Sequence, residues 1–161
     1  MKTVIQAALV LVSGFVFAEV HRYPLPNNST FPISQAVEVK AGTTLIYHSG
    51  TVPGAANPEA ERFSREFWGD TKTQAISVFK RIEGSLKEKG LGMGDVIKMT
   101  VFLVGVPEKG GRMDFSGFME AYTQYFGTKE QPNLPARSAV AVAGLARPGM
   151  LVEIEVVLAR P

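Results

Sequence analysis

Hydrophobic and polar positions along the chain sort into short alternating stretches separated by two longer helical ones. Across residues 35–40, Val37 and Val39 alternate with Glu38 and Lys40, the period-two pattern of a half-buried strand. A second β-like run, residues 43–49, follows Ala41-Gly42. Residues 51–68 hold two prolines, one glycine and mixed charges without periodicity, which predicts a long functional or flexible loop. Asp70 then reads as an N-cap. Ala75, Phe79, Ile82 and Leu86 follow at helical spacing, and Gly90 stops the helix. Residues 95–103 (DVIKMTVFL) are rich in β-branched and apolar side chains and predict a central strand. A glycine-rich loop, residues 105–112, leads into a second helix with Phe115, Phe118, Met119, Tyr122 and Phe126 on one stripe and Gly127 as its stop. Two final strands, residues 137–143 and 151–158, flank a turn containing Arg147-Pro148-Gly149.

The predicted order is ββ-α-β-α-ββ, an α+β layer with two helices on one face of a mostly antiparallel sheet. On the last strand Val152, Ile154, Val156 and Leu158 should face the helices, with Leu151, Glu153, Glu155 and Val157 pointing away. On the strand before it, Ala139, Ala141 and Ala143 share a face with Arg137. Two helices cover one side only. Small residues, aliphatics and a few charges on the other side suit close approach by a second subunit, so an oligomer is expected.

The first eighteen residues stand apart. A positive Met1-Lys2 start precedes an apolar run of about 15 residues that closes on Val16-Phe17-Ala18, a pattern that predicts an export signal cleaved before Glu19. The run is shorter than the roughly 20 residues a bilayer span needs. The chain thus divides into a signal (1–18), an irregular leader (19–31) with two prolines and two asparagines, and a single domain (32–161). The product is expected to be exported, to the periplasm in a Gram-negative source, with no membrane segment remaining.

Composition narrows the chemistry. Hydrophobic residues make up 45% of the chain and charged ones 20%, which excludes a disordered chain. Seventeen basic against fifteen acidic side chains leave a formal charge of +2, too little for dense phosphate neutralisation, so no nucleic-acid partner is expected. No cysteine means no thiolate nucleophile and no Cys-ligated zinc, and two distant histidines argue against a His-built metal site.

Several motifs have plain explanations. The glycines of residues 89–94 follow a helix and precede a strand, the reverse of a phosphate loop, and read as a stop and turn. Ser77 and Lys80 match S-x-x-K spacing without its companion elements and read as a solvent face. His48 beside Ser49 cannot converge on one strand without a bulge, so a structural histidine is expected. Lys109-Gly110-Gly111-Arg112 precedes a helix N-terminus but reads as a solvated turn. Phe67 and Trp68 read as capping a core edge.

Arg137 and Glu153 hold more interest. A guanidinium captures a carboxylate in bidentate fashion, and a partly desolvated carboxylate nearby can orient or deprotonate water. On spacing alone a cross-strand ion pair is the simpler explanation of the same two residues.

The segment 135–154, PARSAVAVAGLARPGMLVEI, closely resembles the signature of the Rid family, the reactive-intermediate (imine/enamine) deaminases also called YjgF-like or L-PSP proteins. Ser49-Gly50 and the run Gly94-Asp95-Val96-Ile97-Lys98 match as well, and the resemblance covers roughly residues 32–160. It implies a chorismate-mutase-like fold and a homotrimer with sites in clefts between subunits. It also implies cofactor-free hydrolysis of 2-imino acids, such as 2-iminobutanoate, to 2-oxo acids and ammonia. By the same resemblance Arg137 clamps the substrate carboxylate, Glu153 positions and activates water, and Ser49, Gly50 and the Ala139 backbone line the site. Where the family has a site tyrosine this chain has Ile33. A site asparagine is replaced by Met119 and a cysteine by Ala139, and the chain carries extra loop residues at 57–68 and before Met113. Two rival readings remain: a non-enzymatic trimer that binds small carboxylates or acts as a holdase, and an endoribonuclease-like activity.

Overall fold

A computed structural model describes residues 20–161. The expected export signal, residues 1–18, lies outside the described residues. Strands β1 (Val20–Tyr23), β2 (Ala36–Val39) and β3 (Leu45–Thr51) come first, then the one-turn helix α1 (Arg65–Trp68) and the long helix α2 (Thr71–Lys87). Strand β4 (Val96–Val104), helix α3 (Phe115–Tyr122) and strands β5 (Ala136–Val142) and β6 (Val152–Ala159) complete the unit. The α+β class and the ββ-α-β-α-ββ order hold, with β1 and α1 added. Among the described residues no helix is long and apolar enough to cross a membrane.

Local chemistry sets the helix limits. The Asp70 carboxylate accepts a hydrogen bond from the Thr73 amide at 2.8 Å and so satisfies one of the free N–H groups that open α2. Ala75, Val78, Phe79, Ile82 and Leu86 are fully buried along one stripe, and Gly90 ends the run in the left-handed conformation at φ +69°. In α3 Asp114 caps the Gly117 amide at 3.2 Å. Regular α-helix stops at Tyr122, short of the predicted end, and turns carry the chain to Gly127. Phe118, Tyr122 and Phe126 are buried and cluster on Phe79 with ring centroids about 6 Å apart.

The main sheet has the order β3-β6-β4-β5. β6 lies between β3 and β4, antiparallel to both, while β5 runs parallel to β4 at the edge. The last two strands therefore flank their turn without pairing with each other. Met99, Val101, Leu103, Val152, Ile154, Val156 and Leu158 point under the helices and are buried. Side chains directly opposite on neighbouring strands share a face. Met99 pairs with Arg137 and Val101 with Ala139, so Arg137, Ala139 and Ala141 lie on the helix side. Phe102 pairs with Glu153 and Thr100 with Glu155, which puts both glutamates on the open side with the exposed Tyr47. This corrects the expectation that the alanines and Arg137 share the open face with Glu153. Alternation along each strand was read properly, but the parallel pairing of β5 set its phase.

The leader is more ordered than its prolines suggest. β1 pairs antiparallel with β2 as a separate two-stranded sheet. The Arg22 guanidinium donates to the carbonyls of Gly94 (3.0 Å), Val96 (3.0 Å) and Leu134 (2.8 Å), tying that sheet to the start of β4 and the approach to β5. The irregular-leader reading of residues 19–31 therefore gives way to a strand followed by turns.

A buried amide organises the opposite end. Gln74 is fully buried; its amide nitrogen donates to the Gly69 and Gly149 carbonyls at 3.0 Å, and its oxygen accepts from the Leu151 amide at 2.7 Å. Trp68 donates to the Pro148 carbonyl at 2.9 Å. The end of the long loop, the start of α2 and the entry to β6 are thus locked together.

Candidate functional site

Arg137 leaves the edge strand β5 toward α3 and enters a box of rings. Its guanidinium carbon lies 4.2 Å from the centroid of Tyr122, 5.2 Å from Phe118, 5.5 Å from Phe31 and 5.7 Å from Phe115. Cation–π contacts of this kind occupy the faces of the guanidinium and leave its edge N–H groups for a planar acceptor. One edge nitrogen, Nη1, is buried and has no hydrogen-bond partner among the described residues. Burial pulls the Arg137 pKa down from its ordinary value and Tyr122 opposes the shift, yet an arginine keeps its charge at any physiological pH. Burial pushes the Tyr122 hydroxyl up to about 12. It is therefore a neutral donor, and it gives its proton to the Pro32 carbonyl at 2.8 Å.

Backbone pairing explains how residues distant in sequence meet here. Ser34 bridges Ala136 in parallel fashion, its amide donating to the Pro135 carbonyl and its hydroxyl to Leu134. Residues 31–34 therefore run beside the entry to β5 and bring Phe31 against Arg137, with Ile33 lining a neighbouring cleft beside Phe31. Met119 sits one helical turn beyond Phe115, half-buried, and Ala139 one pleat beyond Arg137 on the same face. Further along, Ala141, Met113, Phe115, Lys109, Gly111 and Arg112 line a cleft of about 490 Å³. The glycine-rich turn thus borders a cleft, though Lys109 lies 3.5 Å from the Asp114 carboxylate.

Glu153 belongs to a second cluster on the open face. The β3–β6 register shifts between His48 and Thr51, so Ser49 and Gly50 bulge out of the ladder. The Glu153 side chain lies over Gly50 so closely that a Cβ there would overlap Oε1 and stand 3.0 Å from Cδ. His48 pins the bulge: its Nδ1 bonds the Ser49 carbonyl at 2.9 Å and its Nε2 meets the Ser85 hydroxyl at 3.1 Å. Lys89 in turn donates to Ser85 Oγ at 2.9 Å. His48 engages the Ser49 carbonyl and the Ser85 hydroxyl rather than the Ser49 hydroxyl, as a structural histidine does.

Of the seven site residues expected from the sequence, Arg137, Ile33, Met119 and Ala139 gather on the helix side, and Ser49, Gly50 and Glu153 on the open side. The cross-strand ion pair considered for Arg137 and Glu153 does not form, because β4 separates their strands and they face opposite ways. The aromatic box and the Lys89–Ser85–His48 relay were not expected. Phe115, Phe118 and Tyr122 had shown only as a core stripe, and nothing in spacing alone ties Ser85 to His48. Among the described residues no group of three or more His, Asp or Glu side chains comes together to hold a metal ion.

Comparison with known proteins agrees with this architecture. A family model described as Endoribonuclease L-PSP matches residues 25–160. Lactococcus lactis AldR, provisionally named a regulator, is 38% identical over 126 residues, 78% of this chain and 86% of its own. Escherichia coli TdcF, provisionally named a reactive intermediate deaminase, is 30% identical over 129 residues, 80% of this chain and 87% of its own. The crystal structure of TdcF with bound serine superposes with a TM-score of 0.56 at 29% identity, covering 83% of this chain and 91% of TdcF. A Rid-family protein from Yersinia pestis, YyfB, shares the fold with a TM-score of 0.64 at 23% identity, over 86% and 98% of the two chains. A match across nearly the whole described domain, together with these relatives, makes this chain a member of the Rid/YjgF (L-PSP) family.

Proposed function

We propose that the protein hydrolyses 2-imino acids and their enamine tautomers to 2-oxo acids and ammonia. The observation that carries this reading is Arg137: a charged guanidinium among four rings, with a buried Nη1 that has no partner among the described residues. Such a group fits a carboxylate. In the reaction the carboxylate binds Arg137, Glu153 takes a proton from water, and the water oxygen adds to C2 while the imine nitrogen is protonated. Glu153 then returns its proton to the amino nitrogen, the C2–N bond breaks to release ammonia, and the hydroxyl loses its proton to Glu153 as C2–O becomes a carbonyl. The ammonia carries that proton away as ammonium. A protonated imine is already electrophilic, so positioning and modest general-base help suffice, and the reading calls for no cofactor.

One chain cannot supply both groups to one substrate, since they leave opposite faces of the sheet. We therefore read the active unit as a homotrimer whose clefts combine the Arg137 side of one copy with the Ser49-Gly50-Glu153 side of the next. The exposed Leu45, Tyr47 and Val140, on or beside the open face, support contact with a neighbouring copy. The active form is proposed to be the exported one, without residues 1–18. A trimer that only binds carboxylates is the second reading, favoured by the completeness of the Arg137 box without Glu153; endoribonuclease-like activity ranks third.

The test is 2-oxo acid formation from 2-iminobutanoate, generated in place by an amino-acid oxidase. Acceleration that disappears in both Arg137→Ala and Glu153→Gln is the expected result. An intact trimer that accelerates nothing contradicts the proposal, and carboxylate binding that needs Arg137 but ignores Glu153→Gln supports the binding module.

A further inference from the structure

We propose that the site selects 2-imino acids with a large apolar side chain, aromatic or branched aliphatic, over small ones. The inference rests on the deaminase reading for its reaction and on the groove beside Arg137 for its specificity.

Alternate residues of a strand lie roughly 6.6 Å apart on one face. Arg137, Ala139 and Ala141 therefore form a strip about 13 Å long, with a cation at one end and methyl groups along the rest. Phe115 walls this strip at both ends: its ring touches the Arg137 guanidinium and also lines the cleft of about 490 Å³ that holds Ala141 and Met113. A carboxylate on the free edge of Arg137 thus directs the rest of its molecule over Ala139 into an apolar channel. Phe31, which also touches Arg137, lines a neighbouring cleft together with Ile33.

Several polar groups near the channel are engaged, while the Arg112 Nη groups in its lining stay available. The Tyr122 hydroxyl is given to the Pro32 carbonyl. Lys109 Nζ is paired with Asp114, and the Arg112 Nε–H is given to the Lys109 carbonyl at 3.3 Å. A polar, uncharged side chain would lose water against Met113, Phe115 and Ala141 without finding a partner there. A methyl or ethyl side chain ends before it reaches Met113 and Ala141. Each additional methylene buried there improves binding by about a factor of four.

Calorimetric titration of the purified protein with the stable 2-oxo acid products tests this without relying on turnover. Phenylpyruvate and 4-methyl-2-oxopentanoate should bind at least about tenfold tighter than pyruvate. Ala141→Asp, at an exposed position of the edge strand, should shrink that ratio to about twofold or less by placing a charge in the channel. Equal or tighter binding of pyruvate overturns the proposal. Selective binding of the bulky acids, with no imine hydrolysed, sinks the deaminase reading and leaves the ligand class standing; no binding of any acid sinks both.

Discussion

Arg137 and Glu153 leave opposite faces of one four-stranded sheet, with β4 lying between their strands. Each has its own local setting: an aromatic box for the guanidinium, and a glycine bulge under the carboxylate. The division turns a question about catalysis into one about assembly, and it separates residues that hold the fold from residues that serve the site.

Arg137→Met should leave stability within about 1 kcal/mol of wild type, because lost cation–π attraction and relieved desolvation offset each other. Carboxylate binding should vanish. Thermal denaturation and calorimetry on the same variant check the pair of outcomes. A loss above about 3 kcal/mol would mark Arg137 as a structural residue instead.

Gly50→Ala should separate rate from folding. The new Cβ meets the far end of the flexible Glu153 side chain rather than backbone, so the fold gives way locally at a cost below about 1 kcal/mol. The displaced carboxylate no longer presents water. Steady-state kinetics should show kcat reduced roughly 10- to 100-fold with KM nearly unchanged; an unchanged kcat removes Glu153 from the mechanism.

Gln74→Leu should be among the most damaging single changes outside the site. It strands two carbonyls and one amide that Gln74 now satisfies in the interior. At about 1–3 kcal/mol for each group left unpaired, a loss of about 3 kcal/mol or more is expected by urea denaturation. A loss below about 1 kcal/mol would mean that these groups find other partners.

Asp70 contributes a pH-dependent share of stability. Its hydrogen bonds from Thr73 hold the carboxyl below its ordinary range in the folded state. That contribution is present above the unfolded value near 4 and is lost as pH falls through the depressed folded value. Asp70→Ala should therefore cost about 1 kcal/mol at neutral pH, and the gap to wild type should narrow below about pH 4. A gap that is constant with pH would show that the cap does not depend on its charge.

The features legible in the sequence are those set by near neighbours. Asp70 as cap, Gly90 as stop and the buried stripe of α2 follow from spacing alone. The side chosen by Arg137 does not, because it depends on β5 pairing parallel with β4 while β6 inserts between β3 and β4. Alternation tells which residues share a face but not which face is covered. β1 was hidden by the prolines that follow it, and its place is held by Arg22, which bonds carbonyls more than seventy residues away. Arg137 and Glu153 stand out by their chemistry and gain their expected roles from the family resemblance, whereas Phe31 and Phe118 join them only when three distant segments meet around one guanidinium.

In the proposed active unit, one site takes Arg137 from one copy and Glu153 from another. Mixing Arg137→Ala with Glu153→Gln, unfolding both and refolding them together, measures this directly. Random assembly should return about a quarter of wild-type imine hydrolysis from two inactive parents, since one cleft in four then joins an intact arginine to an intact glutamate. Mixed oligomers that form and stay as inactive as their parents would contradict it.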